Sequence, residues 1–213
     1  MRVLVVAPEQ NGLNTLPEIR QIQRLHHMSV LDGVVTVDDI YQACRETKFD
    51  IIHYATHSGP EGVLLSNGVV FGPDGIASVA RLKETPCIFF NSCNSSKLAA
   101  YAVRHGVRYA VHTNVAIPDN EAWKAAVSFY GALQNGHGKD YIGAYVVADS
   151  GDGDYGLSVD PDYLGELQKV AVMSAAAPHN AMPLTQAELV RWGLFFVAAS
   201  VALSTLLARL AGG

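Results

Sequence analysis

FDIIHYATHSG, residues 49–59, starts as a largely apolar run, carries histidines at 53 and 57, and drops into Ser58-Gly59. A continuous β-branched and aromatic run of this length predicts a strand buried on both faces, as in a parallel sheet. The same signature recurs outward from it in RVLVVA (2–7), SVLDGVVTV (29–37), PCIFFNS (86–92) and VRYAVHT (107–113). Helical spacing fills the gaps: LPEIRQIQRLHH (16–27), VDDIYQACRETK (37–48), PDGIASVARLK (73–83), SSKLAAYAVRHG (95–106) and PDNEAWKAAVSFYGALQNG (118–136). Pro17 and Pro73 suit first turns, Asp119 an N-cap, and Gly106 and Gly136 helix ends. His26 and His27 close the first helix, where a cationic group suits the dipole. GVLLSNGVVF (62–71) holds two apolar runs around Asn67-Gly68, a hairpin signal.

Strand and helix thus alternate, which implies βαβ units, a parallel sheet and helices on both faces. Sites in such sheets form beyond the carboxyl ends of the strands. His57 and Cys93 each fall just past a predicted strand, so they belong to one rim. His112 and Asn114 end the fifth strand on that rim, where both can line a substrate groove or serve as core and rim structure. Trp123, Phe129 and Tyr130 share a helix face and read as packing.

The chain has 213 residues and a formal net charge of -5. That length predicts one domain with an appendage, or at most two small domains. Mild acidity with scattered basic residues argues against a nucleic-acid partner. Cys44, Cys87 and Cys93 form no C-x-x-C pair and fit a reducing compartment. The first apolar run, about five residues, is short of the roughly 7–15 that a signal peptide needs.

From about residue 149 the pattern changes. DSGDGDYGLSVDPDYLGE (149–166) is rich in Asp and Gly, and SAAAPHNAMPLTQ (174–186) is small and unpatterned. Both read as linker. Asp149, Asp152 and Asp154 lack the order of an EF-hand loop and read as solvated. In the final stretch, Trp192 to Ala208 carries no charge between Arg191 and Arg209. These residues give roughly 25 Å of helix, at the short end for a membrane span. The expected organisation is a domain at 1–149, an acidic and small-residue linker at 150–187, and a C-terminal transmembrane helix at 188–211.

Two histidines at i and i+4 match the zinc spacing of H-E-x-x-H, but the Glu is absent. On a strand they would stand roughly 13 Å apart. No metal site is expected. Cys93 sits between a buried strand and a helix, where partial positive charge and free N–H groups suit a thiolate and an oxyanion. Cys87 and Cys44 read as core thiols. Cys93 and a histidine on the same rim make a nucleophile and base pair.

In their order and spacing, DIIHYATHSG, GVLLSNGVVF, CIFFNSCNSS and GVRYAVHTNVAIPDNEAWKAAVSFYGALQNG resemble the CHAT family of caspase-fold cysteine peptidases, over about residues 1–150. The resemblance implies a caspase-like three-layer sandwich with a mostly parallel central sheet. It implies His57 as general base, Cys93 as nucleophile and His53 as a structural histidine, with no cofactor. Backbone N–H groups of Cys93 and of Ser58 and Gly59 would hold the oxyanion. The family carries Gly directly after the catalytic histidine. Here it is Ser58, which tolerates positive φ poorly. Related metacaspases carry Asp two residues before the nucleophile, favouring a basic residue at the cut. Here Asn91 is neutral and lines the substrate site without that preference.

The resulting expectation is a membrane-anchored cysteine endopeptidase on the inner (cytoplasmic) membrane, single-pass, with its catalytic domain facing the cytoplasm. Its partners are a protein or peptide substrate, membrane lipid through the C-terminal helix, and an activating protein or a second copy. The resemblance adds a role as effector in bacterial defence or cell death. Two alternatives stay open: a weak or inactive scaffold that recruits partners to the membrane, and an amidotransferase-like thiol hydrolase. The latter expects a G-x-C-x-G elbow that FNSCNSS lacks.

Overall fold

Side chains along strand β1 (Arg2–Pro8), buried from Val3 on, alternate between two faces and divide the core in two. Leu4 and Val6 pack on one face with Ile52, Tyr54, Ile88 and Phe90. Val3, Val5 and Ala7 pack on the other with Ile51, Ala55, Phe89 and Val111. The period-2 geometry of a strand makes this division, and hydrophobic residues on both faces demand a helical layer on each.

The computed structural model describes residues 1–10, 12–135, 139–149 and 154–164. In chain order the remaining elements are α1 (Leu16–Leu25), β2 (His27–Gly33), α2 (Val37–Glu46), β3 (Ile51–Ala55), β4 (Ser58–Gly59), β5 (Gly62–Leu64), β6 (Val70–Phe71), α3 (Pro73–Leu82), β7 (Cys87–Asn91), α4 (Ser96–Arg104), β8 (Tyr109–Thr113), α5 (Asp119–Asn135), α6 (Tyr141–Ala148) and β9 (Tyr155–Val159). The central sheet has the order β2-β1-β3-β7-β8-β9. Its pairs are parallel except β8 with β9. Helices α2, α3 and α4 cover the Leu4 face, and α1, α5 and α6 cover the Val3 face. A small antiparallel sheet, β4-β5-β6, rises from the end of β3.

The alternation predicted from sequence is present, and the differences have local causes. β2 stops at Gly33, whose φ of 68° leaves the strand region. Thr36 then caps α2: its hydroxyl accepts from the Asp39 N–H, and the Asp39 carboxylate accepts from the Thr36 N–H. α1 ends at Leu25, and His27 already belongs to β2. His26 is no cationic cap. Its Nε2 donates to the Tyr130 carbonyl at 3.1 Å, and burial holds its pKa below the usual imidazole value. Asp119 is the first residue of α5, and its carboxylate accepts from the Asn14 N–H at 3.1 Å. The 62–71 hairpin is real, but its strands are joined through a 3-10 turn at Ser66–Gly68, with Asn67 and Gly68 at positive φ.

One boundary moves. Residues 155–159, expected as linker, are β9 and pair with β8 in the register Tyr109↔Val159 to Thr113↔Tyr155. YGLSV is too short and too close to the Asp-Gly run to stand out as a strand by periodicity alone. The expected transmembrane helix at 188–211, the linker from 165 and Asp152 lie outside the described residues. Among the described residues, no helix is long and apolar enough to cross a membrane.

Candidate active site

The β3–β7 register sets the two candidate residues at the same level of the sheet edge. Ile51 pairs with Cys87 and Ala55 with Asn91. His57 and Cys93 each lie two residues past that last pair, at the carboxyl edge of strands that run roughly 4.8 Å apart. Beyond the pair the chain ends are joined directly: the Ser58 hydroxyl donates to the Cys93 carbonyl at 2.6 Å. His57 is exposed and Cys93 half-buried.

His57 is held by its backbone. Leu64 N–H donates to the His57 carbonyl at 2.8 Å. The reciprocal bond of an antiparallel pair is not made directly; the side chain of Gln10 stands between. His57 N–H donates to Gln10 Oε1 at 3.2 Å, and Gln10 Nε2 donates to the Leu64 carbonyl at 2.6 Å. Thr56 Oγ1 donates to the same carbonyl at 2.5 Å. Ser58 pairs with Val63 at the adjacent, non-hydrogen-bonded position, so its own N–H faces away from β5. Ser58 and Gly59 are extended, with no positive φ at either. The steric objection to Ser after the histidine therefore does not arise.

The nucleophile candidate occupies a tight turn. Asn94 takes φ of 53°, and its N–H donates to the Val115 carbonyl at 3.1 Å. The Ser92 carbonyl accepts from the Ser95 hydroxyl at 3.0 Å and from the Thr113 hydroxyl at 2.6 Å. Ser95 Oγ accepts in turn from Thr113 N–H at 3.0 Å. These bonds lock the turn against the end of β8. The Cys93 thiol lies 3.9 Å from the Ile117 carbonyl, a weak S–H contact. α4 begins at Ser96, three residues on. The other two thiols are buried. Burial pushes Cys44 up to about 11 and Cys87 higher still.

Beneath the rim runs a buried polar chain. His53 is fully buried, stacks on Phe89, and sets Nε2 at 2.8 Å from Glu18 Oε1 and Nδ1 at 3.1 Å from the Tyr130 hydroxyl. Glu18 Oε1 accepts from Asn91 Nδ2 at 2.5 Å. Asn91 Nδ2 also donates to the Ala122 carbonyl at 3.0 Å, and Asn91 Oδ1 accepts from the Tyr155 hydroxyl at 2.6 Å. Burial raises both phenols, which stay neutral donors. Asn91 is 6% exposed. The substrate contact expected of its side chain is not what it makes: its amide is engaged by protein on every side.

Asn114 stays exposed on the rim; its N–H donates to the Asp154 carbonyl at 2.8 Å and its Nδ2 lies 3.5 Å from the Tyr155 carbonyl. His112 is buried. Phe129 and Tyr130 are core residues as expected, whereas Trp123 is 40% exposed. Gln10, Glu18, Ser95, Thr113 and Tyr155 were not singled out from sequence. For Glu18 a signal existed: an acid beside Ile19 on a helix that also buries Ile22.

Residues 6–141 match the family model described as the CHAT domain. Among solved structures, the Arg-specific cysteine proteinase gingipain R aligns with a TM-score of 0.56 at 12% identity, covering 75% of this chain and 46% of that one. This chain thus spans under half of that protein's length, and the likeness is one of fold: an α/β sandwich with a mostly parallel central sheet, as in caspase-like gingipain. The response regulator domain of Thermotoga maritima CheB aligns with a TM-score of 0.42 at 15% identity, over 63% of this chain and 96% of that one. No curated protein matches the sequence.

Proposed function

Because the chain belongs to the CHAT-domain family, we propose that it is a cysteine endopeptidase whose dyad is Cys93 and His57. The observation that carries this reading is the Ser58–Cys93 bond at 2.6 Å, which ties the histidine's loop to the cysteine's turn. The shared offset of both residues from the Ala55↔Asn91 pair supports it.

The chemistry follows from these groups. The thiol turns from the Ile117 carbonyl to the imidazole, and His57 takes the proton from Sγ. The thiolate attacks the scissile carbonyl carbon, and the C=O electron pair moves to oxygen. Backbone N–H groups of Cys93 and Ser58 stabilise that oxyanion. The tetrahedral species collapses, the C–N bond breaks, and His57 returns the proton to the leaving amine. Water then attacks the thioester with His57 as base, which releases the acid and restores the thiol. Asn114, exposed on the rim, contacts the substrate, while Asn91 supports the turn from below.

The wider proposal has the uncharged C-terminal stretch anchoring the domain to the cytoplasmic membrane as an effector in bacterial defence or cell death. A partner protein or a second copy switches it on. A peptide carrying an electrophile in place of the scissile carbonyl tests the enzyme. Wild type labels and Cys93→Ala does not; equal labelling of the two overturns the reading in favour of a scaffold. Partition of the full chain into membranes, lost when the chain is ended at residue 187, tests the anchor.

A further inference from the structure

We infer that Gln10 is the positioning residue for His57, and that its carboxamide sets the reactivity of Cys93 by fixing where the imidazole stands. The inference rests on the dyad reading above.

Just past the end of β3 the ladder is completed by a side chain. Pairing of residues 57 and 64 makes one of its two backbone bonds, Leu64 N–H to His57 C=O. The second is replaced by a side-chain bridge, His57 N–H to Gln10 Oε1 and Gln10 Nε2–H to Leu64 C=O. A carboxamide is the one neutral side-chain group that offers an acceptor and a donor side by side, so it can stand in for a peptide unit. Gln10 thereby bridges residues 57 and 64 and holds the His57 backbone from the β1 side.

Nothing else among the described residues binds His57 from its N-terminal side. Ser58 holds the other flank through Cys93. His57 is therefore gripped from two directions: by the chain beyond β1 through Gln10, and by the nucleophile turn through Ser58. Gln10 also lines a cleft of about 230 Å³ with Glu9, Leu13, Leu16, Asp32 and Gly33, so one of its faces is open to solvent. A side chain that only filled core would not stand at such a mouth. Displacing a reacting group by about 1 Å costs roughly a hundredfold in rate, so a backbone anchor one residue long has kinetic weight.

The test is the rate at which iodoacetamide alkylates Cys93 in the full chain, followed from about pH 5 to pH 8, where an imidazole changes charge. Cys44 and Cys87 are buried and stay silent. Gln10→Met keeps the bulk and loses both bonds; alkylation slows by about tenfold or more. Gln10→Glu keeps the acceptor for His57 N–H, loses the donor to the Leu64 carbonyl and adds a negative charge at the His57 backbone. The imidazole then holds its proton to higher pH, and the pH profile of alkylation moves upward. A merely structural role would lower the melting temperature in both variants and leave that profile in place. Wild-type rate and profile in both variants, with His57→Ala slow, overturn the assignment of Gln10 and leave the dyad standing. A His57→Ala protein that reacts like wild type sinks the dyad reading, and this inference with it.

Discussion

The Ser58 hydroxyl donates to the Cys93 carbonyl at 2.6 Å, so the residue after one candidate catalytic group grips the backbone of the other. Thirty-five positions of chain separate them. The bond closes the gap between the ends of β3 and β7 where the sheet itself no longer does. Ser58→Ala therefore loosens the site without touching either reacting group. Stability drops by about 1 kcal/mol, and reaction with an electrophilic peptide slows by about tenfold. Ser58→Thr, which keeps the hydroxyl, retains most of the rate. A Ser58→Ala protein with wild-type labelling would show the bond to be idle.

Thiol chemistry should be confined to one site. Cys93 is half-buried, and burial holds the Cys44 thiol at about 11 and Cys87 above it. Near neutral pH the native chain takes up a single iodoacetamide adduct, on Cys93, and three in denaturant. Peptide mass mapping reads both.

Glu18 stabilises the buried histidine and the buried amide at once. Glu18→Ala leaves His53 and Asn91 without their shared acceptor and costs about 1–3 kcal/mol for each group left unpaired, read in urea unfolding. Glu18→Gln keeps one acceptor and costs less. Equal losses in the two variants would mean that the site reads volume, not hydrogen bonding.

Gly62 takes φ of 148°, and a Cβ there would lie 2.3 Å from the Phe71 carbonyl oxygen. Gly62→Ala must shift the β5–β6 backbone and costs about 1–3 kcal/mol. Because β5 pairs with β4, the shift reaches Ser58, so labelling of Cys93 falls as well. Unchanged labelling would show that the hairpin tip and the site are mechanically independent.

His26 predicts an acid sensitivity unrelated to catalysis. Burial, opposed by its bond to the Tyr130 carbonyl, holds its folded pKa below the usual imidazole value. The unfolded chain then binds more protons, so stability is present above about pH 6.5 and is lost as pH falls through the folded value. Melting temperatures measured from about pH 7 down to pH 5 should decline. His26→Gln should flatten that decline; an unchanged slope would place its source elsewhere.

Much of this was legible beforehand because buried parallel strands are written as unbroken apolar runs. IIHYA, CIFFN and YAVHT needed only their composition, and their order placed His57 and Cys93 on one edge. The missing parts are tertiary. Tyr155 reads as a tyrosine in an Asp-Gly run until β9 pairs with β8 and points its hydroxyl at Asn91. Gln10 follows a strand by two residues and looks like loop until the hairpin arrives from residues 57–64. Asn91 misled in the opposite sense: its place beside Cys93 suggested contact with substrate, yet strand alternation turns its amide into the layer of α1 and α5, onto Glu18 and Ala122. His26 misled because its helix ends two residues earlier than the pattern suggests, against Tyr130.

The Tyr155–Asn91 bond carries a consequence for biosynthesis. A nascent polypeptide grown to about 150 residues already contains the thiol, the imidazole and the five parallel strands. It lacks the phenol that braces the amide two positions before the thiol. Bracing of the candidate site thus waits for β9, the last of the described strands, to leave the ribosome.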